Sequence, residues 1–374
     1  MKGYYIHFDG SKTPGVNKKI KMQVKEFQKY FDLEELEISF IPKSLLWRIF
    51  RLLPFGGIER DYKSCLKKMK APDFVYIRRT LADKYYIQFL KEIKRKYPKC
   101  KILIEIFTYP YDKDEFSSWF AFPLYWKEKW NRKKIPTLID RYVTVSEDDY
   151  ILGKETLKIS NGIFVDQVKL PVYNKKEDGR IDMLAVAVMQ SHHGYERIIE
   201  GMHAYYQNGG ERQVYLHLVG NGPEKNFYQE LVKQYGLDEK VLFYSELLGV
   251  ELENVYNNKD IAVSSLGCYK KNINYLSALK TREYLAAGLP MVTGCKIDVF
   301  EKKNCNFYCA FPNDESLIDI NRIISFCDEI NRNGKEEVQK KIKQYAKETV
   351  DMDIAMAPVI RYLRVSSESR AKND

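Results

Sequence analysis

The architecture turns on Ser277-Ala278-Leu279-Lys280-Thr281-Arg282-Glu283-Tyr284-Leu285-Ala286-Ala287-Gly288-Leu289-Pro290. The apolar run Ile261–Leu266 precedes it and the short apolar piece Met291-Val292-Thr293 follows it. Between two such strand candidates, the stretch predicts a loop and then a helix from Leu279 to Ala287. Gly288 stands where a helix end wants a left-handed residue, and Pro290 blocks continuation. Lys280 and Arg282 fall in the first turn, an end that already carries partial positive charge. That suits an anion, because free backbone N–H groups at a helix start can hold phosphate. A capped helix in an α/β layer with solvated charges accounts for the same residues.

The preceding residues repeat the alternation. Ile181–Met189 is a near-continuous apolar run suited to a buried parallel strand. Gln190–Arg197 leads into a helix through Ile198, Ile199 and Met202. Val214–Val219 is a strand ending in Gly220-Asn221-Gly222-Pro223-Glu224, and Phe227–Tyr235, Val241–Tyr244 and Glu251–Asn257 continue the pattern. From Asp314 onward the chain reads as helical and polar, with a frayed charged tail after Arg364.

The first half follows the same rhythm. Tyr4–Phe8 is a strand, Gly15 lies in the loop after it, and Ile20, Val24, Phe27 and Phe31 have helical spacing. Phe74–Ile77, Lys101–Phe107, Asp140–Ser146 and Ile159–Ile163 read as strands, with a helix over Asp83–Tyr97. Pro171–Gly179 reads as a linker. The fold class is therefore α/β, two doubly wound Rossmann-like domains facing a cleft. The expected domains are 1–170 and 171–349, with a helix at about 350–374 returning to the first. No GxGxxG follows a strand, which counts against an NAD enzyme. Ligands of such sheets gather outside the carboxyl ends of strands. That rule makes Glu105, Thr108 and Tyr109 the first-half site candidates, with Asp112 and Glu115 beside them.

The chain has 374 residues and a formal net charge of +10, which favours an anionic partner. Its seven cysteines form no pair of CxxC units, and Cys305 and Cys309 lack further ligands, so a metal site is not expected. No secretory leader and no run of about 18 apolar residues is visible. The expected setting is a reducing cytoplasm. Phe116–Lys134 holds three of the four Trp, Trp119, Trp126 and Trp130, beside five Lys or Arg. With the Ser44–Leu53 segment, this composition points to the inner face of the cell membrane, where basic residues add about 1 kcal/mol each. A loop packing its aromatics on its own domain is the plainer alternative. Single-stranded nucleic acid also suits interleaved aromatic and basic residues, but no recognisable module accompanies them, so no nucleic acid is expected.

Three motifs in order, His193-Gly194-Tyr195-Glu196-Arg197, Leu218-Val219-Gly220-Asn221-Gly222-Pro223-Glu224 and Leu279–Pro290, resemble the donor half of GT-B glycosyltransferases. The similarity is nearest to the retaining family-4 type of bacterial cell-surface polysaccharide synthesis, and it covers about Asp182 to Thr293. It implies an N-terminal acceptor domain, a C-terminal donor domain, a nucleotide-diphosphate sugar as donor substrate, no other cofactor, and a glycan or lipid-linked acceptor. It also implies that Glu283 accepts from the donor ribose, that Leu279 and Lys280 hold the diphosphate, and that Gly220 and Gly222 admit the nucleotide. Gly15 resembles the family's N-terminal Gly-containing loop, and Asn161-Gly162-Ile163 its inter-domain approach. The family often carries a second glutamate where this chain has Tyr275, and Arg and Lys where it has Val188 and His193. Replacement charge is expected from Lys280 first, then Arg282 or Arg197. Glu105, Thr108 and Lys280 are the catalytic candidates. A nucleotide-sugar epimerase using His192 and His193, and a non-catalytic membrane-surface adaptor, are the rival readings.

Overall fold

The structure, a computed structural model, describes residues 1–8, 14–40, 57, 60–106, 109, 122–174, 176, 178–302 and 305–371. Ser44–Leu53, Thr108, Asp112, Glu115 and Trp119 lie outside the described residues. Contacts divide the chain into Met1–Ser160 with Ala355–Asp374, and Asn161–Ile354.

The first unit is built on a seven-stranded sheet in the order β2-β1-β3-β4-β5-β7-β6. Its strands are β1 (Lys2–Phe8), β2 (Asp32–Ile38), β3 (Phe74–Arg78), β4 (Lys101–Ile106), β5 (Arg141–Thr144), β6 (Tyr150–Ile151) and β7 (Lys154–Lys158). All pairings are parallel except β6 with β7. Successive side chains of β1 show why both faces must be covered. Tyr5 turns to Phe27 of α1 (Pro14–Gln28), 6.3 Å between rings. Tyr4 and Ile6 instead join the core under α2 (Tyr62–Lys68) and α3 (Lys84–Lys96), with Tyr86, Leu90 and Ile93. Asp83 starts α3 by accepting from the Tyr86 N–H at 2.9 Å, which satisfies one amide of the open first turn. Helix α4 (Phe122–Arg132) follows β4 in the chain.

The second unit holds a six-stranded, wholly parallel sheet in the order β10-β9-β8-β11-β13-β15. These are β8 (Ile181–Val186), β9 (Val214–Val219), β10 (Val241–Tyr244), β11 (Ile261–Val263), β13 (Met291–Thr293) and β15 (Tyr308–Ala310), with β12 (Tyr275–Leu276) and β14 (Lys296–Ile297) forming a separate small pair. Helices α5 (Glu196–Gln207), α6 (Lys225–Gln234) and α7 (Gly249–Tyr256) connect the first four strands of this half. Ile198, Ile199 and Met202 of α5 bury against Met183, Ala185, Leu216 and Val263. The continuous apolar run of β8 follows from burial on both faces, as Met183, Leu184 and Ala185 are all at most 1% exposed. After α8 (Leu279–Ala286), α9 (Asp298–Lys302) and α10 (Ile320–Ile330) come α11 (Lys335–Thr349) and α12 (Met352–Ala371), the last reaching past Arg364.

Two expectations are corrected. Ile159–Ile163 is no strand, only an irregular segment whose Ile163 bridges Asp351. Tyr150–Lys158 forms the β6–β7 hairpin instead, with Leu152 and Gly153 at positive φ in its turn. The segment read as a linker, 171–179, counts with the second unit, where Val172 N–H donates to Asn257 Oδ1 at 2.8 Å.

Candidate functional site

In the second unit the carboxyl ends of β8, β9, β11 and β13 gather the motif residues. After β9 the chain turns through Gly220 and Gly222 at φ 125° and 152°. A Cβ on Gly220 would stand 2.1 Å from the carbonyl oxygen of Ala187, and one on Gly222 2.3 Å from that of Met189. Both positions therefore require glycine twice over, for backbone conformation and for close approach. The loop after β8 is tied to this turn by Met189 N–H donating to Asn221 O at 2.7 Å.

Helix α8 is fixed to the same end of the sheet. Tyr284, fully buried, accepts from the Val186 N–H at 2.8 Å on its hydroxyl. The first turn has no acidic residue, and no side chain caps it at Ala278. Thr281 N–H donates to Ala278 O at 3.2 Å, and the Leu279 and Lys280 amides before it keep their capacity for an anion. Lys280, one turn before Tyr284, sends its Nζ to within 3.4 Å of the Tyr195 hydroxyl, 5.7 Å from that ring's centroid. No ion pair of Lys280 occurs among the described residues. The residue keeps partial exposure, yet burial of its ammonium pushes its pKa down to about 7. An ammonium held dry without a carboxylate gains most from an arriving anion.

His193 stacks on Tyr195 with ring centroids 5.6 Å apart and planes 18° apart. Its Nδ1 accepts from the Gln190 N–H at 3.1 Å, so the neutral ring carries its proton on Nε2. Burial, with Lys280 nearby, drives the His193 pKa far below the ordinary histidine value. The imidazole is therefore a neutral polar group beside the ammonium. Glu283 is half-buried on α8.

Two expected cations face elsewhere. Arg197 is 1% exposed, donating from Nε to Ser316 O at 2.6 Å and from Nη1 to Leu266 O. It braces two loops. Arg282 is 0% exposed, paired with Asp298, and donates from Nε to Asn161 O at 2.8 Å and from Nη2 to Ser277 Oγ at 2.9 Å. Its work is to hold the entry to α8 against residue 161. Neither guanidinium is available to an anion, because the local backbone and Asp298 already take its donors.

In the first unit Glu105 does not face a substrate. It is 0% exposed, with Lys19 Nζ at 2.7 Å, Arg78 Nη1 at 3.2 Å and Gln23 Nε2 at 3.3 Å from its carboxylate. Burial pushes its pKa up, but Lys19 and Arg78 outweigh that and bring it to about 2. A carboxylate so held is a poor proton acceptor. Gly15 is exposed in the first turn of α1, and Tyr109 is partly buried against the core. On α4, Phe122, Trp126 and Trp130 lie four residues apart and are 57%, 55% and 71% exposed. The opposite side of α4 is anchored by Glu128, which accepts from Ala82 N–H and pairs with Arg79.

The sequence reading missed Tyr195 and Tyr284 as site builders, and the pair Cys268 and Cys295. The tyrosines carried a signal: Lys280 and Tyr284 are four apart, so one helix face presents both.

Two sheets of this topology define a GT-B architecture, the fold of glycosyltransferases. Residues 167–349, which lie within the second unit, match the family model described as glycosyl transferases group 1. Among solved structures, a glycosyltransferase from Rickettsia africae is similar with TM-score 0.62 at 14% identity, covering 98% of each chain. Anabaena Alr3699/HepE, solved with UDP and glucose, is similar with TM-score 0.59 at 12% identity, over 99% of this chain and 100% of that one. The lipopolysaccharide outer core galactosyltransferase WaaB is similar with TM-score 0.57 at 13% identity, over 99% and 100%. No curated protein sequence matches.

Proposed function

We propose that this glycosyltransferase moves a sugar from a nucleotide-diphosphate donor to a glycan or lipid-linked acceptor, with retention, in cell-surface polysaccharide synthesis. The observation that carries the reading is Lys280, a desolvated ammonium with no carboxylate partner among the described residues, on the uncapped first turn of α8. Breaking the sugar–phosphate bond leaves extra negative charge on the departing diphosphate. Preorganised donors aimed at that charge supply most of the acceleration in such reactions. The Leu279 and Lys280 amides and the Lys280 ammonium are such donors, and Glu283 accepts from the ribose. The amides and the ammonium together provide the positive charge without a metal or other cofactor. His193 adds a neutral Nε2–H. Its Nδ1 is occupied by the backbone, which weakens it as the base an epimerase would need.

Helix α4 stands on the acceptor side. Its exposed Phe122, Trp126 and Trp130, with Lys129 beside Trp126, suit the headgroup layer of an anionic leaflet. A cytoplasmic enzyme resting on the inner membrane face would meet a lipid-linked acceptor there. Complexes of Alr3699/HepE with UDP-glucose support a UDP-sugar as the first donor to try.

The test is a mass-spectrometric screen of nucleotide sugars with lipid-linked and soluble glycan acceptors, with anomer assignment by NMR. A product from the wild type, with turnover lowered roughly 100-fold in Lys280→Ala, is the expected result. Unchanged turnover in Lys280→Ala, or interconversion of donor without acceptor, would overturn the reading.

A further inference from the structure

Cys268 and Cys295 bring their Sγ atoms to 3.2 Å although the residues are 27 apart in sequence. Neither is in a disulfide. Each lies in a loop leaving one of two neighbouring parallel strands, β11 and β13, where Val263 pairs with Val292. The two loops are laced together. Gly294 N–H donates to Ser265 O at 2.9 Å, and the β11 loop is tied in turn to the loop after β8 by Leu266 N–H donating to His193 O at 2.8 Å. Cys295 is held further by its N–H donating to Thr293 Oγ1 at 3.2 Å. Cys268 is fully buried and Cys295 is 8% exposed.

A disulfide has its sulfurs about 2.05 Å apart, so the pair would close by about 1.2 Å, within what two short loops can give. We propose that Cys268 and Cys295 form a reversible disulfide that weakens nucleoside-diphosphate binding at Lys280. The second half of this proposal rests on the donor reading of Lys280 above; the first does not.

The chemistry balances with hydrogen peroxide, an oxidant small enough for a nearly buried pair. One sulfur of the pair, as thiolate, attacks a peroxide oxygen. The O–O bond breaks, a sulfenic acid forms, and the departing hydroxide takes the thiol proton as water. The second thiolate then attacks that sulfur, the S–O bond breaks, and hydroxide leaves with the second thiol proton as a second water. Two thiols lose two electrons and one peroxide becomes two waters. A dithiol reductant reverses the step.

The link to Lys280 runs through the loop that carries Cys268. Leu266 N–H donates to His193 O at 2.8 Å and Gly267 N–H to His192 O at 3.2 Å, and His193 stacks on Tyr195, whose hydroxyl lies 3.4 Å from Lys280 Nζ. The contact between the sulfurs lowers the Cys268 pKa and, with burial, raises that of Cys295, so the Cys268 sulfur is the one whose charge favours protonated Lys280. A disulfide carries no charge. Oxidation thus removes the Cys268 charge that favours protonated Lys280, and it pulls on the Cys268 loop to which the His193 backbone is bonded.

The experiment uses the full chain carrying Cys305→Ser, which removes the one cysteine that is not buried. It is treated with hydrogen peroxide, alkylated, digested without reductant and examined by mass spectrometry. UDP, GDP and ADP binding is measured by calorimetry before oxidation, after it, and after dithiothreitol. The expected result is a Cys268–Cys295 peptide that disappears with dithiothreitol, and about tenfold weaker nucleotide binding while it is present. Cys268→Ser and Cys295→Ala, either of which prevents the link, should each abolish the oxidation-dependent change. Absence of that peptide overturns the proposal. A linked protein with unchanged nucleotide affinity overturns the coupling to Lys280. A reduced protein that links but binds none of the three nucleotides sinks the donor reading and leaves the disulfide standing.

Discussion

Arg282 and Asp298 form an ion pair inside the second unit, with Arg282 at 0% and Asp298 at 3% exposure. Only two residues away on α8, Lys280 has no such partner among the described residues. The helix therefore carries one cation spent on architecture and one whose recorded polar contact is the Tyr195 hydroxyl. Removing one member of a buried pair strands the other charge, at a cost of about 3–5 kcal/mol. Arg282→Met is expected to destabilise by that amount in urea unfolding. Combining it with Asp298→Leu should recover much of the loss, because no charge is then left unpaired. A double variant no more stable than the single one would show that the Asn161 and Ser277 contacts, and not the ion pair, dominate.

Lys280 makes the opposite prediction. Its folded pKa of about 7 lies below the ordinary value of 10.5, so the unfolded chain binds more protons between those limits. Stability of the free protein should therefore rise with pH across that window. Lys280→Met should raise the melting temperature at pH 7 without nucleotide. Binding of a nucleoside diphosphate needs the protonated amine and should weaken as pH rises above about 7, by up to about tenfold per unit, until the pKa of the complex is reached. Calorimetric titration of UDP, GDP and ADP from pH 6 to 9 checks this, and a flat profile in the wild type would remove Lys280 from the site.

Much of this arrangement was legible in the chain. The Leu279–Ala287 helix, its Gly288 stop and the apolar run of β8 follow from periodicity and capping, and α8 ends at Ala286. Residue type alone did not reveal which positive charge is free. Lys280, Arg282 and Arg197 look equivalent in sequence, and only the partners Asp298, Ser316 and Leu266, up to 119 residues away, separate them. Glu105 misled for a related reason. Its place at a strand's carboxyl end suggested a ligand, but Lys19 and Arg78 reach it from α1 and β3. The β6–β7 hairpin was missed because its turn uses Leu152, a residue with no turn signature, at φ 49°.

Gly220 gives a test of the proposed nucleotide loop. A methyl group there would meet the Ala187 carbonyl oxygen at 2.1 Å, and φ 125° is unfavourable for any side chain. Gly220→Ala should cost roughly 1–3 kcal/mol of stability and displace the Ala187–Met189 loop. Gly236→Ala is the control, since it also has positive φ, at 63°, but meets nothing within 4 Å. Nucleotide binding should fall in the first variant and hold in the second. Equal effects would mean that conformational strain, not the close approach, is what matters.

Helix α4 predicts salt-sensitive attachment to anionic vesicles. Phe122, Trp126 and Trp130 supply apolar contact, and the neighbouring lysines supply attraction that is screened within about 8 Å at physiological salt. In flotation with vesicles containing phosphatidylglycerol, the triple alanine variant should stay at the bottom of the gradient while the wild type rises. High salt should reduce, without abolishing, wild-type flotation. Equal flotation of both proteins would mean that this helix face does not touch lipid.

Glu105 sets the acid limit of the first unit. Its folded pKa of about 2 lies below the ordinary 4.5, so its ion pairs with Lys19 and Arg78 stabilise the fold fully above about pH 4.5. That contribution is lost as pH falls through the interval down to about 2, because protonation removes the charge both cations need. The shift corresponds to roughly 3 kcal/mol. Glu105→Gln keeps the shape but leaves Lys19 and Arg78 buried without a carboxylate, so it should be less stable than wild type at pH 7. The gap between the two proteins in urea unfolding should narrow steadily between pH 4.5 and the lowest pH at which both still fold. A gap that stays constant over that range would mean the carboxylate acts there as a neutral hydrogen-bonding group and not as the charge that holds β3, β4 and α1 together.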